Sequence, residues 1–215
     1  MTKTRRHYTV LLLRIAMLAA WTIAAMTPLM AQADEAITLS VQRMVSPVLD
    51  AGFSLVTIAG NIEVTIGLVF LIGIALIRSG RIQTGVTLWG VFVGGSAAEW
   101  IGKHWLPHIG VFASLQRSRL NILHHLVQTP YAYPSGHAFR TLLLAVAAYI
   151  AWRPSAGRAS GPIRYAPLVA AGLMGLALIY LGDHWASEVV GGYLLAILCI
   201  WPISALAAAP TDRSR

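Results

Sequence analysis

Six apolar runs set the pattern of the chain, at roughly 9–31, 51–77, 83–102, 135–152, 165–182 and 189–209. Each is close to the roughly 20 residues that a helix needs to cross about 30 Å of hydrocarbon. Polar segments punctuate them: "ADEA", "RSGR", a stretch from Lys103 to Pro134, "RPSAGRASGPIR" and the short "GDHWASE". None leaves room for a soluble domain. The pattern predicts an all-α fold, a polytopic membrane bundle of about six transmembrane helices, with residues 1–215 as a single integral membrane domain. Internal repeats and low-complexity tracts are absent, and small-residue patches such as "GVFVGGSAA" suit close approach of helix backbones.

Composition strengthens this picture. Hydrophobic residues make up 57% of the chain and charged residues 11%, against roughly a quarter charged in a soluble domain. The net charge of +8 does not mark a nucleic-acid binder, because the basic residues form short clusters between apolar runs, with no basic face interleaved with aromatics. The charge instead reports topology. With the N-terminus inside, one side of the membrane holds Lys3, Arg5, Arg6, Arg78, Arg81, Arg153, Arg158, Arg164, Arg213 and Arg215; the other holds Arg43, Lys103, Arg117 and Arg119. Cytoplasmic loops carry the excess of such residues. Both termini are therefore expected in the cytoplasm of a bacterial cell, and the loops after the first, third and fifth runs outside its inner membrane. The run at 9–31, with its basic start and "AQA" before Asp34, also reads as a signal peptide. Its length and the interrupting Arg14 favour a retained helix. The one cysteine, Cys199, permits no intramolecular disulfide.

Titratable residues gather at three helix ends on the outer face. Glu99 and Lys103 close the third run, Ser135 and His137 open the fourth, and Asp183, His184 and Glu188 lie between the fifth and sixth. Ionisable groups near bilayer depth are costly, which makes them functional candidates. Pro134, Ser135 and Gly136 form a helix start, with Ser135 as N-cap. The positive dipole end there attracts an anion, phosphate above all. His137 in the first turn can protonate a leaving oxygen near working pH. Arg140, three residues on, can hold phosphate oxygens or pair with Glu99 or Glu63. His184 and Glu188 are four apart, so a carboxylate can fix one ring nitrogen and leave the other as base or nucleophile. Lys103 adds positive charge, or snorkels to the headgroups.

These stretches resemble the type 2 phosphatidic acid phosphatase family of membrane lipid phosphatases. The family pattern is Lys-x6-Arg-Pro, then Pro-Ser-Gly-His, then Ser-Arg-x5-His-x3-Asp; the middle part is matched in full by Pro134, Ser135, Gly136 and His137. The resemblance covers roughly 50–205. It implies six spans, an outward active site, no required metal or other cofactor, His184 as the nucleophile that becomes a phosphohistidine, and His137 as general acid. The first and third parts depart from the pattern: Gly110 and Val111 stand where Arg-Pro is wanted, Ala177 and Leu178 where Ser-Arg is wanted, and Glu188 replaces the orienting Asp. Arg140, Arg117 and Arg119 are the residues available to stand in for the two arginines.

The expected catalytic set is therefore His137, His184 and the orienting Glu188, with Lys103, Ser135, Gly136 and Arg140 around the phosphate and no metal site. The expected partners are a lipid phosphate or diphosphate and the surrounding membrane lipids. Polyprenyl phosphates, phosphatidic acid, phosphatidylglycerol phosphate and lipid-linked sugar phosphates are the candidates that the resemblance implies. A non-hydrolytic lipid-phosphate binding or transport protein, or a lipid phosphotransferase, is the alternative on the same fold. Asn61 and Glu63 can mark a proton or ion path. His104, His108, His124 and His125 read as a solvated interfacial loop rather than a zinc site, and Trp100, Trp105, Trp152 and Trp185 as an aromatic belt.

Overall fold

The computed structural model describes residues 3–117, 129–151 and 162–208. Every regular element among the described residues is helical: α1 (Lys3–Ala25), α2 (Pro28–Val41), α3 (Pro47–Ile58), α4 (Ile62–Arg78), α5 (Ile82–Trp105), α6 (Gly136–Ala151), α7 (Ala166–Leu181) and α8 (Ala186–Ala208), with three short 3-10 turns. α1 and α8 are long and apolar enough to cross a bilayer. α5 has 24 residues, and α6 and α7 have 16 each. The protein is an all-α integral membrane protein.

Two apolar runs do not form single rods. The run at 9–31 ends as a helix at Ala25; Thr27 caps α2 by accepting from the Met30 N–H, and Pro28 takes the first turn. Proline suits that place because its missing N–H would have no intrahelical acceptor there. The "AQA" that resembles a cleavage site lies inside α2. The run at 51–77 is broken between Ile58 and Ile62, and α3 and α4 meet at a bend of 49°. Gly60 and Asn61 are weak helix formers, and their N–H groups turn back to Thr57 and Ile58.

α6 packs against α8, α7 and α4; α5 lies against α4 and α8, and α1 against α8. Between them Val69, Leu88, Phe92, Phe139, Leu143 and Ala196 form the core. In lipid such helices hold together by close contact rather than by hydrophobic transfer. Gly95 shows it: an added Cβ would collide with the Phe139 ring. Ile23, Phe70, Leu71, Val93 and Val169 face outward, a surface suited to lipid and not to water. Arg14 is accommodated by donating to the Ile197 carbonyl of α8 at 3.0 Å.

Candidate active site

A cavity of ≈ 450 Å³ opens where the C-terminal end of α5, the start of α6, the α3–α4 break and the turn before α8 come together. Glu99, Lys103, His137, Arg140, Asp183 and His184 all line it. Three chain segments that the sequence places at one membrane depth thus meet at one point.

The His184 wall begins at Gly182, whose φ of +67 ends α7 in the left-handed region. A side chain there would run into the Leu115 carbonyl. The Asp183 and His184 N–H groups both donate to the Leu178 carbonyl, at 3.0 and 3.3 Å. α8 begins only at Ala186, so His184 and Glu188 do not share a helix face as the spacing predicts. Glu188 instead folds back over the first turn: its Oε2 accepts from the Trp185 N–H at 3.3 Å and lies 2.6 Å from His184 Nδ1. Acceptors at a helix start satisfy N–H groups that have no intrahelical partner. With Nδ1 held by the carboxylate, Nε2 is the nitrogen left for chemistry.

The His137 wall is built by the start of α6. Ser135 Oγ accepts from the Ala138 N–H at 3.4 Å, and the Ser135 N–H donates to the Glu188 carbonyl at 3.0 Å. Gly136 allows the close approach of the Glu99–Arg140 pair, which an added Cβ would strike. His137 Nε2 lies 2.9 Å from Asn61 Oδ1; with that oxygen facing the ring, Nε2 is the donor. A side chain at Gly60 would press on the same imidazole, its Cβ 2.6 Å from Cδ2. The bend between α3 and α4 therefore shapes the wall. The rings of His137 and His184 have centroids 6.3 Å apart.

The cations are partly committed. Arg140 donates through NH1 to Glu99 Oε2 at 2.6 Å and through Nε to the Gly60 carbonyl at 3.3 Å. Lys103 Nζ is 3.8 Å from Glu99 Oε1, a looser contact. Of the stand-in arginines, Arg117 forms a two-bond pair with Asp50, at 3.2 and 3.0 Å, away from the cavity lining. Those hydrogen bonds hold its guanidinium above the ordinary value. Arg119, His124, His125 and Trp152 lie outside the described residues. Leu178 is buried in an apolar cluster with Ala138, Met174 and Val189, and Gly110 borders the cavity.

Several residues sit where the sequence did not place them. His108 is buried, not solvated; its Nδ1 is 2.9 Å from Glu188 Oε1. Its spacing from His104 does not point to Glu188, so only the fold reveals this contact. Trp185 is 6% exposed and donates to the Ile109 carbonyl at 3.0 Å, so it belongs to the interior rather than to an aromatic belt. Trp100 and Trp105 do face outward. Glu63 is in the first turn of α4, at the cavity, not midway along a span. Among the described residues no group of three His, Cys, Asp or Glu side chains is placed to hold a metal ion.

Residues 112–211 match the family model described as the PAP2 superfamily. That stretch, just under half of the chain, resembles the PAP2 superfamily. The fold is also similar to that of a solved structure, the "first transmembrane PAP2 type phosphatidylglycerolphosphate phosphatase from Bacillus subtilis", with a TM-score of 0.73 at 19% identity over 95% of this chain and 98% of that one. No curated protein matches the chain. The PAP2 segment supplies His137, His184 and Glu188, whereas Asn61, Glu99, Lys103 and His108 precede it in sequence and reach the same site through the fold.

Proposed function

We propose that the protein is a membrane lipid phosphatase that removes phosphate from a lipid monophosphate or diphosphate at the outer face of a bacterial inner membrane. The observation that carries this reading is the pair of imidazoles facing each other across one cavity, one of them backed by a buried carboxylate. His184 Nε2 attacks phosphorus and forms the N–P bond as the P–O bond to the lipid breaks. His137 gives its Nε2 proton to the departing oxygen. Water then attacks the phosphohistidine, returns a proton to His137 and releases phosphate. Phosphoryl transfer asks the protein mainly for positioning and charge. Lys103, the looser of the two partners of Glu99, swings to the phosphate, and the first turn of α6 adds its dipole.

The excess of Lys and Arg on one side supports cytoplasmic termini and an outward cavity. Phosphate release from dioleoyl phosphatidate, phosphatidylglycerol phosphate and farnesyl diphosphate in dodecyl maltoside micelles tests the reading, with His184→Ala beside the wild type. Release by the wild type alone supports it; equal rates remove it. One observation favours the non-hydrolytic binder as a second reading: Glu99 already engages both Lys103 and Arg140. Saturable binding of the same lipids without phosphate release, unchanged in His184→Ala, would establish that alternative.

A further inference from the structure

The polar chain behind His184 does not stop at Glu188. Oε1, the oxygen not used by His184, lies 2.9 Å from His108 Nδ1, off the line of a well-directed hydrogen bond. The other ring nitrogen of His108 is 3.2 Å from Ser187 Oγ. Ser187 donates its hydroxyl to Asp34 Oδ2 at 2.5 Å, and its N–H donates to Oδ1 at 2.8 Å. Asp34, His108, Ser187 and Glu188 are exposed by 1%, 7%, 1% and 0%. They arrive from α2, from the loop after α5 and from the first turn of α8. Phosphoryl transfer as written above touches none of the first three, and burying such groups is costly unless they are paired.

The hydrogens can be assigned along the chain. Ser187 spends its one hydroxyl hydrogen on Asp34, so towards His108 its oxygen accepts, and Nε2 carries a hydrogen. Nδ1 faces a carboxylate oxygen, again an acceptor. His108 thus has an acceptor near each of its ring nitrogens. Around it stand Asp34 from α2, Glu188 and, beyond it, His184 from the α8 end, and Tyr133 from the loop before α6. The Tyr133 ring lies 5.7 Å away, and its hydroxyl is paired with Thr22. Glutamate carries one more torsion than aspartate. Anchored at Oε2 alone, its carboxylate can still swing; the His108 contact holds the second oxygen.

We propose that His108, with Ser187 and Asp34 behind it, is a positioning residue that pins Glu188 and so fixes the tautomer and aim of His184. This rests on the phosphatase reading for its kinetic part and is independent of it for its spectroscopic part. The test compares the full-length wild type with His108→Leu and His108→Gln in dodecyl maltoside, using phosphate release from the lipid that the wild type hydrolyses fastest and histidine 15N spectra, with the His184 signals assigned by their loss in His184→Asn.

His108→Leu is expected to lower kcat by about 10–100-fold, the scale for groups that orient a reacting side chain from behind, with KM within about 2-fold. Its His184 signals are expected to show mixed tautomers where the wild type shows hydrogen on Nδ1 alone. His108→Gln, which keeps one donor, is expected to fall between. An unchanged His184 spectrum in His108→Leu overturns the proposal, whatever happens to kcat. If the wild type hydrolyses no lipid in the panel, the phosphatase reading fails and the spectra alone decide this one. Should His108→Leu not fold, Asp34→Asn takes its place with the same readouts and the same criteria, at a smaller amplitude.

Discussion

The two imidazoles that face each other across the cavity are held in different ways. His184 stands in front of a carboxylate that is 0% exposed, with a second histidine, a serine and an aspartate behind it, drawn from α2, α8 and a loop. His137 is in the first turn of α6, half-buried, and its Nε2 meets Asn61 at a break between two helices. One wall is a packed polar chain; the other borrows from a bend. A nucleophile gains from a fixed tautomer and a fixed line of attack, whereas a general acid must follow a proton from ring to leaving oxygen and back. The contrast matches the chemistry proposed for each.

The hardest way to break that contrast is to remove the proposed nucleophile. His184→Asn is expected to cost about 10⁴-fold or more in kcat, the scale for loss of a residue that forms the covalent intermediate. No acid-labile phosphoprotein should then be trapped from radiolabelled substrate. Residual trapping would move the nucleophile elsewhere. His137→Asn is expected to cost less, about 10²–10⁴-fold, because proton donation contributes on that scale. The loss should shrink for an aryl phosphate whose leaving oxygen needs no proton. An equal loss for aryl and alkyl phosphates would mean that His137 binds phosphate rather than protonating the leaving group.

The two walls were not equally legible in the sequence. Apolar runs gave the all-helical membrane class because lipid-crossing length is a local property, and Pro134–His137 and His184–Glu188 are short-range patterns that survive in one dimension. The α3–α4 bend was not visible: Gly60 and Asn61 are single weak formers inside a run that is apolar enough to read as continuous. The pairing of Arg140 with Glu99 was among the alternatives, since both lie near helix ends at one depth. Asp34 and His108 escaped because their partner Ser187 is 153 and 79 residues away, and no spacing encodes such a contact. Asp34 follows a stretch that also resembles a cleavage site, and nothing local signals that the fold buries it; that burial pushes its carboxyl above the ordinary value, against the two hydrogen bonds from Ser187.

Asn61→Ala sharpens the comparison with a milder change. It leaves the imidazole of His137 in place but removes the acceptor at Nε2. A lost neutral hydrogen bond is worth about 1 kcal/mol, so kcat is expected to fall by roughly 5–10-fold, well below the loss for His137→Asn. A loss in Asn61→Ala greater than that in His108→Leu would invert the contrast and make the bend the tighter of the two holds.

The smallest expected effect comes from adding a group rather than removing one. Gly110 borders the cavity at the position where the family pattern wants an arginine. The nearest obstacle to a Cβ there is the Ala132 Cβ at 3.2 Å, a crowding that a loop can relieve by a few tenths of an ångström. With Arg140 bound to Glu99 and Lys103 nearby, a guanidinium at 110 would add a further cation at the cavity's edge. A charged hydrogen bond contributes about 1.5–3 kcal/mol when buried, and about 1 kcal/mol is the fair expectation at this half-exposed position. Gly110→Arg should therefore lower KM for the lipid phosphate by about 5-fold while leaving kcat within about 2-fold, as expected of binding shared by ground and transition states. An unchanged KM, with the variant folded, would show that the phosphate sits deeper than residue 110 can reach, on the Ser135–Gly136 helix start alone.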